Sequence, residues 1–204
     1  MKRYHYAFKR LHGIFLKRLT AEPIYELKTA FSHHAYLCAE HTAALRKRVT
    51  EMREPPLGLD DVPHAALELV FDEIQAAPTT AELILGIYDR AIPALRSALE
   101  RHLTDTNRLV DAPSVRICRF ALLELADIAA FGAAAIRSLV DDTQRASAIP
   151  WLAMLDAAIA ACGGLDGAAP EAGTLPNRSI PKLRTRSISR RVGTSGSTTR
   201  ITPA

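Results

Sequence analysis

The run "RFALLELADIAAFGAAAI", residues 119–136, constrains the fold more than any other part of the chain. After Arg119, its only ionisable side chains are Glu124 and Asp127, and every other residue is apolar or glycine. A helix that is apolar on all sides is typical of the interior of a helical domain. Two carboxylates three residues apart share one helix face, and a buried carboxylate needs a partner or a proton. The run therefore predicts a buried helix that carries a polar site.

The rest of the sequence favours an all-α fold. Residues 21–165 contain almost no alternating β-branched run. Helices are expected over about 23–53, 62–77, 80–103 and 114–140, with a short fifth helix over 148–161. Thr79 and Glu82 form a capping-box pattern at the start of the third helix, and Pro93 predicts a kink within it.

Charge divides the chain into three zones. Residues 1–20 hold six Lys or Arg and residues 172–204 hold seven, with no acid in either zone, which leaves 13 basic against 22 acidic residues between them. We therefore expect a basic amphipathic arm over 1–22, a helical domain over 23–167 and a disordered basic tail over 168–204. Because the basic charge belongs to the ends, a nucleic-acid partner is not expected.

The N-terminal arm has an apolar stripe with basic residues opposite. The stripe consists of Tyr4, Phe8, Leu11, Phe15 and Leu19. Such a segment docks on its own domain or on a partner subunit, or it makes weak contact with an anionic membrane surface. Three cysteines without a spaced framework, and no uninterrupted apolar segment long enough for a transmembrane helix, predict a cytoplasmic protein.

The first long helix carries a second candidate feature. His34, Cys38 and His41 lie on its apolar stripe and offer two imidazoles and a thiol within two turns. The alternative is that they are ordinary core residues, since buried cysteine behaves as a small apolar residue. Further candidate ligands on other helices are Glu68, Asp72, Asp89 and His102. Arg116 is nearly in phase with Asp127, so a structural ion-pair network is an open alternative to a metal site.

Three segments, "LKTAFSHHAYLCAEHTAALRKRVTEMREPP", "TNRLVDAPSVRICRFALLELADIAAFG" and "AACGGLDG", make the chain resemble an uncharacterised bacterial branch of ferritin-like proteins over residues 24–167. The resemblance implies an antiparallel four-helix bundle that binds iron or manganese between its helices. The chain departs from that pattern, because Glu124-x-x-Asp127 stands where Glu-x-x-His is expected. The predicted metal ligands are His34, His41, Glu68, Asp72, His102, Glu124 and Asp127.

Two functions are compatible with these features. One is a ferritin-like protein with one or two metal ions in its core and an oxidative role. The other is a non-enzymatic helical scaffold or interaction protein whose buried acids and histidines form structural ion pairs. A homo-oligomer is possible in either case. Geometry separates the two, because a metal site needs at least four of the candidate groups within about 3–5 Å of a common centre.

Overall fold

The computed structural model describes residues 1–52, 55 and 58–179, and these residues form six helices and no strand. The helices are α1 (Lys2–Ala21), α2 (Tyr25–Met52), α3 (Ala65–Ala76), α4 (residues 80–105), α5 (Ala112–Leu139) and α6 (Asp142–Ala161). The predicted all-α class is confirmed. Within the described part of the chain, no helix has the length and apolar character needed to cross a membrane. Of the disordered tail predicted over 168–204, residues 180–204 lie outside the described residues.

Helix α1 belongs to the core of the domain. Phe8, Leu11, Ile14 and Phe15 have no solvent exposure, and α1 packs along α2 as a helical hairpin. The amphipathic stripe is therefore satisfied by the chain's own domain, as one of the sequence alternatives expects. In this fold the apolar face of α1 is not available to a membrane surface.

The basic side of α1 is also bonded to the domain. Arg3 donates to the carbonyl of the residue that caps α6, at 2.6 Å. Arg10 forms an ion pair with Asp72 on α3 at 2.7 Å, and Arg18 donates to backbone carbonyls at the end of α3. Basic residues of this kind stabilise helix C-termini, where carbonyl groups lack helical partners. The positive charge of α1 thus contributes to the fold.

Helix α4 contains a π-helical turn. It runs through Thr80–Ile84, the π segment Leu85–Ala91 and then Ile92–Asp105. Pro93 has no N–H to donate to the carbonyl of Asp89 four residues earlier, and the Arg90 side chain donates to that carbonyl instead, at 3.0 Å. The disturbance that Pro93 predicts is thus accompanied by a π turn just before it.

Helices α2 and α5 are antiparallel neighbours. The end of α2 meets the start of α5, where Arg48 donates to Ser114 at 2.8 Å. Nearer the start of α2, the His34 ring lies 5.3 Å from that of Phe131, late in α5. This register places the polar residues of the two helices opposite one another.

The expectation that α5 is buried on all sides is wrong. Phe120 is 51% exposed and Leu123 is 67% exposed, Asp127 is exposed, and Leu122 is half-buried. Within the described residues, α5 packs mainly against α2 and α4, so one face of this apolar helix remains in contact with solvent. An apolar residue on α5 is therefore not by itself evidence of burial.

Two helix starts also differ from the sequence expectation. Helix α5 begins at Ala112, with Asp111 as its N-cap residue, two positions before Ser114. Helix α6 begins at Asp142 instead of residue 148, because Asp141 and Gln144 form a reciprocal capping box.

Candidate functional site

A buried polar contact joins α2 to α4. The hydroxyl of Tyr88 lies 2.9 Å from Nδ1 of His34, and the Phe131 ring packs against both side chains. Burial lowers the pKa of His34 from 6.5 to about 4, with a smaller contribution from His33. Burial also raises the pKa of Tyr88 well above 10. Both groups are therefore neutral at pH 7, and their hydrogen bond is a structural link within the core.

A glycine makes room for this contact. Tyr88 lies in the π-helical turn, and its ring occupies the place where a Cβ at Gly132 would stand. Any side chain at Gly132 would clash with Tyr88 and force it to shift. The glycine near the end of the apolar run is thus needed for close packing of α4 against α5.

A second polar contact joins α2 directly to α5. Nε2 of His41 lies 2.6 Å from a carboxylate oxygen of Glu124, in a geometry poorly aligned for a hydrogen bond. Burial lowers the pKa of His41, although the charge of Glu124 opposes this shift. The Phe8 ring packs on the imidazole with 4.8 Å between ring centres. The carboxylate of Glu124 is therefore held by one partner at the edge of the core, with 34% of its side chain exposed.

Cys38, one turn from either histidine, is fully buried. Burial raises the pKa of its thiol, and the nearby charge of Glu124 raises it further. Within the described residues Cys38 belongs to no group that could hold a metal ion, and it is a core residue in this arrangement.

The predicted ligands on α3 form a separate cluster with arginines. Asp72 lies between Arg10 and Arg178, at 2.7 Å from each, and Glu68 lies 3.9 Å from Arg178. Burial alone would raise the pKa of Asp72, but the hydrogen bonds from Arg178 and Arg10 outweigh it and lower the pKa. Both carboxylates pair with arginine, and Asp72 helps to hold α1 and residue 178 against α3.

His102 and Asp89 also have structural neighbours. Nε2 of His102 lies 3.7 Å from Asp111 at the start of α5, and Arg48 binds the same carboxylate at 2.9 Å. Asp89 pairs with Arg90 at 2.7 Å. His102 is therefore engaged near the end of α4, and Asp89 within its π-helical turn.

Asp127 and Arg116 do not form the expected buried pair. Both are exposed, and the Arg116 guanidinium lies over the Phe120 ring at 4.9 Å. Asp127 instead lines an open groove of about 880 Å³ between α2 and α5. Other residues along this groove are Tyr25, His33, Leu37, Leu123 and Phe131. Glu124 and His34 line the same groove. Glu124 also contacts His41, whereas Asp127 is exposed, so the two acids do not form one buried site.

The arrangement does not fit the iron or manganese centre implied by the sequence resemblance. Within residues 1–52, 55 and 58–179, no group of three or more His, Cys, Asp or Glu side chains could hold a metal ion. His41 and Glu124 contact one another, whereas Asp72 is paired with arginines and His102 with Asp111. Metal binding stays a prediction that this geometry does not support.

The sequence also contains the pattern of an exposed helix–helix contact, which the candidate metal ligands do not include. Phe120 and Leu123 recur with Ala130 and Ala134 at steps of three, seven and four along α5, which is the spacing of a helix–helix seam. Comparison with protein-family models, with curated proteins and with solved structures gives no match to this chain. The ferritin-like resemblance therefore rests on the sequence pattern alone.

Proposed function

We propose that the protein is a non-enzymatic helical interaction module that binds protein through one exposed face of α5. This face, the α5 stripe, follows a strict alternation of four-residue and three-residue steps. Its members are Arg116, Phe120, Leu123, Asp127, Ala130, Ala134 and Arg137, all of them exposed. This exposed heptad spacing is the observation that carries the proposal.

The composition of the α5 stripe supports a docking role. The solvent face of a helix in a monomeric domain is normally polar, whereas Phe120 and Leu123 leave 51% and 67% of their surface in water at the centre of the stripe. Burying a side chain of this size against a partner contributes roughly 1.5–3 kcal/mol. The two residues therefore offer substantial binding energy that the folded domain does not use.

The contacts of the buried polar groups support a non-enzymatic role. His34 with Tyr88, His41 with Glu124, and Asp72 with its arginines each link two parts of the fold. The proposal retains the ferritin-like antiparallel arrangement expected from the sequence, and the antiparallel register of α2 and α5 supports it. An oxidative role with iron or manganese is the competing proposal, and it requires the ligands to move together.

Position-specific photocrosslinking tests the proposed function. A benzophenone amino acid at position 123 should form covalent adducts with protein when the full chain is irradiated inside cells, because the stripe is then occupied. The matched control is the same substitution at Ile149 on α6, which is 59% exposed and lies outside the stripe. Adducts at position 123 alone are expected. Equal yields at both positions, or none at position 123, would contradict the proposal.

A further inference from the structure

The α5 stripe is complementary to itself in one orientation. We infer that two copies of this chain pair through their α5 helices, antiparallel, about a two-fold axis near residues 121 and 122. This inference rests on the proposed function and names its partner. In such a symmetric contact, the same surface serves both copies and every cross-contact occurs twice.

The apolar centre sets the register. Phe120 and Leu123 are the two large apolar members of the stripe, and an antiparallel pair can place Phe120 of each copy opposite Leu123 of the other. The axis then passes midway between these positions. Both side chains lose their exposed surface in the same contact, which is the arrangement found at the seam of paired helices.

The same register brings opposite charges together. Arg116 lies four residues before Phe120, and Asp127 lies four residues after Leu123, so Arg116 of each copy faces Asp127 of the other. Both side chains are exposed, and within one chain they do not pair with each other. Parallel pairing would instead place arginine on arginine and aspartate on aspartate, which is repulsive. Charge complementarity therefore selects the antiparallel orientation.

Large side chains in the turn before α5 are complementary to small side chains near the end of α5. Leu109 and Val110, in the turn before α5, are 91% and 80% exposed. In the register set by Phe120, this turn lies beside the end of the second copy's α5 that holds Ala133 and Ala134. Both alanines are exposed, and their small side chains leave space for the large side chains of the second copy's turn. The contact therefore extends apolar packing beyond the central pair.

Charge reversal provides the test, with sedimentation equilibrium of the full chain as the measurement. Arg116→Asp leaves two acids facing two acids across the pair, and Asp127→Arg leaves two arginines facing two arginines. Each variant alone should dimerise at least about tenfold more weakly than the wild type. An equimolar mixture of the two should regain a dimer that contains one copy of each, because every cross-contact is again between opposite charges.

Controls separate the inference from a folding defect. Arg145→Asp reverses an exposed charge on α6 and should leave the dimer unchanged, and each variant should retain the helical circular dichroism of the wild type. Leu123→Glu should give a folded monomer. A wild type that stays monomeric at millimolar concentration, a dimer insensitive to Leu123→Glu, or a mixture that fails to pair would overturn the inference.

The two proposals fail in different ways. If photocrosslinking at position 123 yields adducts with a different protein and the wild type sediments as a monomer, the interaction surface stands and the self-pairing is refuted. If position 123 yields no adduct and the wild type is a monomer, both are refuted. A crosslinked species that contains two copies of this chain supports both.

Discussion

Replacing Phe15 by alanine is expected to lower the free energy of unfolding by about 3–5 kcal/mol. The ring has no solvent exposure and packs against Phe31 and His34, with 5.5 and 5.4 Å between ring centres. Its removal leaves a cavity where α1 and α2 meet and loses the apolar contacts of a complete aromatic ring. Chemical denaturation followed by circular dichroism measures the effect.

The next residue along α1 is the matched control. Leu16 is 47% exposed, so Leu16→Ala should change the stability by less than about 1 kcal/mol. A large difference between the two variants shows that α1 is a core helix with one buried face. If α1 were a peripheral arm, Phe15→Ala and Leu16→Ala would both have small effects, and the packing described here would be wrong.

Acidification should destabilise the domain through His34. Its pKa in the folded protein is about 4, against 6.5 for an ordinary histidine, because burial disfavours the charged ring. Between these values the unfolded chain binds a proton that the folded chain does not. The contribution of His34 to the free energy of unfolding is therefore fully present above pH 6.5 and is lost as the pH falls towards 4. The loss from this one residue is on the order of 3 kcal/mol.

A variant isolates the contribution of His34. His34→Phe removes the titrating ring, so its stability should fall less than that of the wild type between pH 6.5 and 4. Burial also lowers the pKa of His5, His41 and His102, and these residues should contribute to the pH dependence that remains. Urea unfolding at several pH values gives both profiles. Parallel profiles for the two proteins would show that His34 is not buried as a neutral group.

Local patterns in the sequence predict much of the helical structure. The threonine at position 79 caps its helix as the capping-box pattern indicates, and the apolar stripes of the first two helices become their buried faces. His34, Cys38 and His41 are buried as the spacing on α2 suggests. Periodicity succeeds here because each of these helices has one apolar and one polar face.

Long-range pairing could not be predicted in the same way. Arg10 and Asp72 are 62 residues apart, and no local pattern identifies them as partners. The prediction that the helix over residues 119–136 is buried on all sides is wrong for another reason. A helix that is apolar all round has the same composition whether it is enclosed by its own domain or keeps one face for another protein, so Asp127 could not be assigned to the surface. Likewise, the need for Gly132 is apparent only once the π turn places Tyr88 against it.

We propose that the buried histidines and carboxylates hold the fold together and do not form a metal centre. The most direct measurement is the metal content of the full chain after anaerobic incubation with Fe²⁺ or Mn²⁺ and removal of free metal. Glu124→Gln, which removes the carboxylate that faces His41, is measured alongside the wild type. We predict far less than one ion per chain in both proteins. One or two ions per wild-type chain, lost in Glu124→Gln, would contradict the account.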